Sequence, residues 1–309
     1  MKNLLPLLLF FSFLTITSAQ NISFILDADT GNEMDDLYAI VRAVQSPKTE
    51  VLALSSAHFN NAQMLTDSLW HIYPTRGIET TKISQELNEE LLTALNRTDI
   101  PHPIGSKRML GFGWGYYEGA PIPKAPAIDL MIEKAREGSP TNKLNIVCLG
   151  AVSNVATAVI TAPEIASNIR VHLLGMRYDF TKAAWDKSEF NARNGINGLN
   201  ELLNNKQVEM IVMPSNIAQS LQFQRKKSQT NLAESNSKAA PILSRRWDEV
   251  NAEESWIMWD LALMEAMINP QFAKLTKRLT PPENTTRFIQ VYRDIDTAAI
   301  EAAFWEALR

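Results

Sequence analysis

Five short apolar segments along the chain predict the strands of a β-sheet. Each is a nearly continuous run rather than an alternation of apolar and polar positions, which is typical of parallel strands that are covered on both faces. The segments are Ile22 to Leu26, Val51 to Leu54, Leu144 to Leu149, Ile169 to Leu174 and Val208 to Met213.

Apolar residues at helical spacing follow the first and third of these segments. They are Leu37, Ile40, Val41 and Val44 after the first, and Val152, Val155, Ala156 and Val159 after the third. Strand, loop and helix in alternation predict an α/β fold with an open, mostly parallel Rossmann-like sheet and helices on both faces. Ligands of such sheets bind beyond the carboxyl ends of the strands.

Three segments depart from this alternation. Gly175 to Gly198 is too long for an ordinary connection and is predicted to be an active-site loop. The polar run Arg225 to Ala240 predicts a solvated helix or a flap, and Ala298 to Leu308 predicts a terminal amphipathic helix that docks on the sheet.

The first nineteen residues have the features of a signal peptide. Lys2 precedes an apolar run that is too short to span a bilayer, and small residues end at Ala19. We therefore expect residues 1–19 to be removed and residues 20–309 to form one domain that is exported, either to a periplasm or out of the cell. No cysteine near Ala19 could accept a lipid anchor.

Charge and cysteine content restrict the function. The net charge is −4, with 30 basic and 34 acidic residues, which argues against nucleic acid or an acidic membrane as a partner and favours a small molecule. Cys148 is the single cysteine, so no intrachain disulfide can form.

The segment ILDADTGNEMDDLYAI carries the strongest chemical signal. Asp27 and Asp29 end the first strand, Gly31 turns the chain, and Asp35 and Asp36 open the helix. Acidic residues are favoured at helix starts, which could account for Glu33 and Asp35. It does not account for Asp29 and Asp36, whose mutual repulsion a hard cation with oxygen ligands, calcium or magnesium, would relieve.

This segment resembles the signature of the inosine-uridine nucleoside hydrolase family, D-x-D-x-G followed by D-D, with two extra residues before Asp35 and Asp36. Further likenesses lie in LALSSAHFN, CLGAVSNVATAV, EFN and WDLALMEAM. The resemblance covers nearly the whole mature chain and implies a nucleoside hydrolase fold and a homo-oligomer.

The resemblance also implies a set of site residues. A calcium ion would be held by Asp29, Asp36, the carbonyl of Leu149 and Asp260, and Asp29 would be the general base. The substrate, a nucleoside or related N-riboside, would contact Asp35, Asn60, Glu189, Asn191 and Trp259. The expected activity is calcium-dependent hydrolysis of the N-glycosidic bond, which would suit salvage of purine and pyrimidine nucleosides.

The chain departs from the family at the leaving group. Trp259 stands where a family histidine assists the base, and the loop GFGWGYYEG replaces another histidine-bearing loop. The histidines present match neither position; they are His58, His71, His102 and His172. Aromatic residues that could sandwich the base are Trp114, Trp185, Trp256 and Trp259.

Three other readings stay open. Asp27 and Asp29 could be the nucleophile and acid/base of a haloacid dehalogenase-like phosphatase. The chain could be an exported calcium-dependent binding protein for nucleosides or sugars that lacks turnover. It could also hydrolyse a different N-glycoside, since a fold does not fix a leaving group.

Overall fold

The computed structural model describes residues 21–61 and 79–309. The predicted signal peptide and His71 therefore lie outside the described residues. Within the described ranges, no helix is long and apolar enough to cross a bilayer. Export, the single domain and the homo-oligomer stay predictions.

A seven-stranded sheet forms the centre of the molecule. Its strands are β1 (Ile22–Ala28), β2 (Thr49–Ser56), β3 (Leu144–Cys148), β4 (Ile169–Leu174), β7 (Glu209–Met213), β10 (Ala273–Leu279) and β11 (Phe288–Ile295). Their order is β10-β11-β7-β4-β3-β1-β2, and neighbours are parallel except for β10 and β11, which are antiparallel. Two antiparallel strand pairs stand apart from the sheet: β5 (Arg177–Asp179) with β6 (Ala184–Asp186), and β8 (Gln222–Gln224) with β9 (Ser255–Ile257).

Helices connect the strands. Their bounds are α1 (Asp35–Gln45), α2 (Thr80–Ala94), α3 (Pro126–Glu137), α4 (Ser153–Thr161), α5 (Phe190–Asn194), α6 (Ile196–Asn204), α7 (Ser215–Ala218), α8 (Arg225–Ala233), α9 (Ala240–Glu249), α10 (Trp259–Ile268) and α11 (Thr297–Ala307).

Two apolar layers bury the faces of the sheet. Successive residues of β1 point to opposite faces, so Leu26 joins a cluster with α1, α10 and α11, whereas Ile25 joins a cluster with α3, α4 and α6. The same division separates Val147 from Ile146 in β3. The predicted α/β class, with a mostly parallel sheet covered on both faces, is confirmed.

All five predicted strands are present, and so are the two helices predicted after the first and third of them, α1 and α4. The chain also forms β10 and β11 at one edge, which the apolar pattern did not indicate. No residue of β10 is fully buried, and β11 buries Ile289, Val291 and Tyr292 between polar residues, so neither strand has the continuous apolar run of a central strand.

The three unusual segments also take definite forms. Residues 175–198 contain the β5–β6 hairpin, α5 and the start of α6, and the polar run from Arg225 begins with the solvated helix α8. The terminal helix α11 is present, packs against α1 and α10, and shares a core cluster with sheet residues such as Leu26 and Tyr292. Aromatic contacts stabilise this position of α11, because Phe304 and Trp305 pack against Tyr38 of α1 and Phe223 of β8.

A buried ion pair joins α1 to α10. The Arg42 guanidinium bonds to the carboxylate of Glu265, which also accepts a hydrogen bond of 2.7 Å from Asn269 Nδ2. Both charged side chains are nearly inaccessible to solvent. Such a pair is costly to break because the remaining partner keeps an uncompensated buried charge.

We predict that Glu265→Ala lowers the free energy of unfolding by about 3–5 kcal/mol, because it leaves Arg42 buried without its counter-ion. The matched control is Asp294→Ala, which removes the exposed pair with Lys274 and should cost less than about 1 kcal/mol. Urea titration of both variants measures the difference. Equal losses in the two variants would contradict a structural role for the buried pair.

Candidate metal and substrate site

A cavity of about 210 Å³ opens at the carboxyl edge of the sheet. It is where a parallel sheet is expected to bind its ligand. Its lining residues are Asp29, Asn32, Glu33, Asp35, Asp36, Leu149, Leu174, Arg177, Glu189, Phe190, Asn191, Ser215, Gln219, Trp259 and Asp260.

Three elements bring carboxylates into this cavity. Asp29 follows the last residue of β1, Asp36 lies in the first turn of α1, and Asp260 lies in the first turn of α10. The positive ends of the two helix dipoles favour negative charge at these positions. The starts of the two helices are tied together, because the backbone N–H of Asp260 donates to Asp35 Oδ2 at 3.0 Å.

The carboxylates converge without enough donors to satisfy them. One oxygen from each of Asp35, Asp36 and Asp260 lies within 4.8 Å of the others. Asp29 Oδ2, Asp36 Oδ1 and Asp260 Oδ1 are buried and have no hydrogen-bond donor in the described parts of the chain. Unpaired buried carboxylate oxygens that share a cavity fit a hard cation with oxygen ligands.

Burial and mutual repulsion raise the pKa values of this cluster. Burial, then the charge of Asp35, raises the pKa of Asp36 to about 8. Burial raises the pKa of Asp29 well above its usual range, with further contributions from Asp36 and Asp35. The pKa of Asp260 is raised for the same reasons. A cation would reverse these shifts by favouring the charged carboxylates.

The predicted substrate contacts Glu189 and Asn191 meet the predicted metal contact Leu149. Asn191 Nδ2 donates to the Leu149 carbonyl at 2.6 Å, which holds that carbonyl at the cavity wall. Glu189 caps α5 by accepting from the backbone N–H groups of Asn191 and Ala192, and it also accepts from Met176. Both side chains are therefore rigidly held.

The cavity brings together all but one of the nine predicted site residues. Asp35, assigned by the resemblance to the substrate, lies in the tight cluster with Asp36 and Asp260. Asn60 does not line the cavity: its side-chain amide donates to the carbonyl of Lys107 at 3.0 Å. The prediction for Asn60 thus finds no support in the geometry, because this hydrogen bond ties its amide outside the cavity wall.

Of the four candidate tryptophans, Trp259 alone lines the cavity. Trp114 is 79% exposed and stacks on Phe112, and Trp185 Nε1 donates to the carbonyl of Leu279. Trp256 packs against the core cluster of α1 and α10. The predicted sandwich of tryptophans therefore reduces to one indole, with Phe190 as a further aromatic ring in the wall.

No histidine of the described residues lines the cavity. His58 is buried with Nε2 2.7 Å from Ser153 Oγ, and its burial lowers its pKa to about 4. His102 and His172 lie near Ile100 and Asn145. None of these three side chains therefore lies at the cavity wall.

Asp27 is structural rather than nucleophilic. It pairs in register with Ser55, whose hydroxyl donates to Asp27 Oδ1 at 2.6 Å, and Asn154 Nδ2 donates to both carboxylate oxygens. The Asp27 side chain does not line the cavity. The geometry therefore disfavours the phosphatase alternative, which needs Asp27 as the attacking group.

Sequence reasoning missed several residues of the cavity wall. Arg177, Ser215 and Gln219 lie after β4 and β7, at the same edge as Asp29. Their positions after strand ends were the available signal, but no pattern in the residues themselves marked them. Asn32, one of the two extra residues of the motif, also lines the wall.

Comparison with known proteins identifies the family. The profile of the inosine-uridine preferring nucleoside hydrolases matches residues 24–298, which is most of the chain. The chain belongs to this family.

Individual relatives with a curated description match this chain over only part of its length. The pyrimidine-specific ribonucleoside hydrolase RihA of Escherichia coli O7:K1 is 30% identical over 168 residues. That match covers 49% of this chain and 47% of RihA, so the chain spans about half the length of the curated relatives that it matches.

Solved nucleoside hydrolases share the architecture along almost their whole length. The purine-preferring ribonucleoside hydrolase of Gardnerella vaginalis superposes with a TM-score of 0.64 at 16% identity, covering 93% of this chain and 98% of that one. The inosine-uridine preferring enzyme of Bacillus anthracis gives a TM-score of 0.65 at 13% identity, with coverages of 94% and 99%. At such identities the likeness concerns the fold alone.

The raised pKa values predict how the metal-free protein responds to pH. Asp36 has a pKa of 3.8 when unfolded and about 8 when folded, so the folded state binds more protons between these values. The free energy of unfolding in a chelator should therefore fall as the pH rises through this window. Calcium should raise Tm most at the alkaline end, where the carboxylates are charged.

Thermal melts at about pH 5.5 and 8, with chelator and with calcium, measure this effect. Asp36→Asn is the control, and its metal-free Tm should depend less on pH because one titrating carboxyl is gone. A wild-type Tm in chelator that rises between these two pH values would contradict the raised pKa values.

Proposed function

We propose that the chain catalyses calcium-dependent hydrolysis of the N-glycosidic bond of ribonucleosides or related N-ribosides. The observation that carries the proposal is the set of unpaired carboxylate oxygens from Asp29, Asp36 and Asp260 at one cavity of a nucleoside hydrolase fold. The cavity combines a few charged and polar groups with aromatic rings, as small-molecule sites commonly do.

Asp29, Asp36, Asp260 and the Leu149 carbonyl would hold the calcium ion. All four of these ligands would coordinate the ion through oxygen atoms. They come from a strand end, two helix starts and a loop, and calcium tolerates such an irregular arrangement better than magnesium does. When bound, the ion supplies an anchor for sugar hydroxyls and lowers the pKa of a water.

Asp29 would then act as the general base. Its carboxylate would remove a proton from a water whose oxygen bonds to the anomeric carbon. Meanwhile the N-glycosidic bond breaks, its electron pair leaves with the base, and positive charge develops on the sugar in the transition state. The buried carboxylates around it stabilise that charge electrostatically. Asp35, Glu189 and Asn191 would hold the sugar in place, and the hydrogen bonds that fix Glu189 and Asn191 keep them in a reactive orientation.

The base of the substrate would lie against Trp259 and Phe190. These rings offer apolar contact area, and the Arg177 guanidinium supplies a cation at the same wall. Among the described residues of the cavity wall, none supplies an imidazole to assist the leaving base.

A second candidate is a calcium-dependent binding protein for nucleosides or sugars. The absence of a histidine among the described residues of the cavity wall favours it, since the metal cluster could bind a sugar without releasing the base. Sugar release separates the two candidates directly.

We predict release of ribose from at least one member of a panel of purine, pyrimidine and nicotinamide ribosides in calcium, and its loss in chelator. A reducing-sugar assay on the purified protein measures this. The panel spans both base classes because the relatives include a pyrimidine-specific and a purine-preferring enzyme. Nucleoside binding without ribose release would support the binding-protein candidate, and calcium-independent release would contradict the proposed metal.

We predict that Asp29→Asn lowers kcat by at least about 100-fold, the usual contribution of a general base. An Asp29→Asn variant with wild-type kcat would exclude Asp29 as the base.

We predict that Trp259→Phe changes the ratio of kcat/KM between purine and pyrimidine ribosides by about tenfold, as a changed apolar contact does. The calcium affinity of this variant, measured by titration calorimetry, should match the wild type.

A further inference from the structure

The turn between β1 and α1 carries the two residues by which this chain exceeds the commonest family spacing. Asn32 and Glu33 lie in this turn, and both line the cavity. Asn32 is 5% exposed, and no donor in the described parts of the chain reaches its Oδ1. A buried amide oxygen without a donor is unfavourable unless a ligand supplies one.

The turn is held from two sides. On one side, the Gly31 N–H donates to Ser84 Oγ at 3.2 Å. Gly31 packs so closely on α2 that an added Cβ would lie 2.7 Å from a methyl group of Ile83. Inside the turn, the Asn32 N–H donates to the Asp29 carbonyl at 2.8 Å.

Arg246 of α9 holds the other side. Its Nη2 donates to the Gly31 carbonyl at 2.9 Å, and its Nε donates to the Glu33 carbonyl at 3.0 Å. The two carbonyls flank Asn32, so one rigid guanidinium fixes the arc of backbone from which the Asn32 side chain projects. Arg246 is 2% exposed and lies 3.3 Å from Glu249.

The chemistry of the unpaired oxygens distinguishes Asn32 from its neighbours. The carboxylates of Asp29, Asp36 and Asp260 carry charge and need a cation. Asn32 is neutral and needs a hydrogen-bond donor, and the hydroxyl groups of a sugar are such donors.

We propose that Asn32 Oδ1 accepts a hydrogen bond from a sugar hydroxyl of the substrate, and that Arg246 is the positioning residue that holds Asn32 there. The proposal rests on the proposed function, because the ligand is taken to be a ribonucleoside. It adds a sugar contact, supplied by the longer turn, to those given by Glu189 and Asn191.

The test compares Asn32→Ala, Arg246→Gln and Arg246→Lys in the full chain. Asn32→Ala should raise KM for inosine and uridine, and weaken binding of D-ribose at saturating calcium, by about tenfold, the effect of one lost hydrogen bond. Arg246→Gln should act in the same direction, and Arg246→Lys should restore part of the loss. Calcium affinity should stay at the wild-type value in Asn32→Ala and in Arg246→Lys, because both variants keep the positive charge beside the carboxylate cluster.

Arg245→Gln is the matched control. Arg245 is the neighbouring residue of α9, is exposed, and pairs with Glu90 and Glu249 rather than with the turn. Its KM and ribose affinity should equal the wild type. In an Asn32→Ala background, Arg246→Gln should add little, because Arg246 acts through Asn32.

Several outcomes would overturn the inference. They are an unchanged KM in Asn32→Ala, a loss of calcium affinity that accounts for its whole effect, or full additivity of the two substitutions. Asn32→Ala keeps the test valid even where Arg246→Gln fails to fold. A wild-type chain that neither binds nor cleaves any riboside overturns the proposed function as well, whereas an active wild type with an unaffected Asn32→Ala overturns this inference alone.

Discussion

The repulsion between buried carboxylates at the meeting point of β1, α1 and α10 is the constraint on which the site depends. Asp29, Asp36 and Asp260 cannot all be charged in a dry cavity without a counter-ion, and burial accordingly raises their pKa values. The fold keeps them together through packing that lies away from the cavity. The buried pair of Arg42 and Glu265 locks α1 to α10, so the two helix starts cannot separate to relieve the repulsion.

Much of this arrangement could be predicted because its parts are local. Continuous apolar runs marked the five buried parallel strands, and closely spaced aspartates marked the strand end and helix start that hold the cluster. The strands β10 and β11 were not predicted because polar residues interrupt the apolar positions of both. Arg177 and Gln219 were not predicted as site residues, because their place in the cavity wall depends on how separate strand ends converge. The spacing of residues along the chain does not indicate that convergence.

The lining of the cavity combines two kinds of surface, which the proposed function assigns to a metal and to the leaving base. Its carboxylates make the lining acidic, whereas Trp259 and Phe190 contribute aromatic surface and Arg177 contributes one cation. An aromatic wall binds many bases by contact area but gives little proton donation. Selection among bases would then depend on fit against these rings and on Arg177, with the ribose end of the site held constant.

Arg246 links the longer turn to the charge balance of the cluster. Besides holding the carbonyls of Gly31 and Glu33, its buried positive charge lowers the pKa values of Asp36 and Glu33 against the effect of burial. A permanent cation close to the cluster favours the ionised carboxylates that a calcium ion needs as ligands. Because a guanidinium keeps its charge at any ordinary pH, this contribution does not depend on a bound metal. Arg246, which holds the longer turn, therefore also lowers the electrostatic cost of charging the carboxylate cluster.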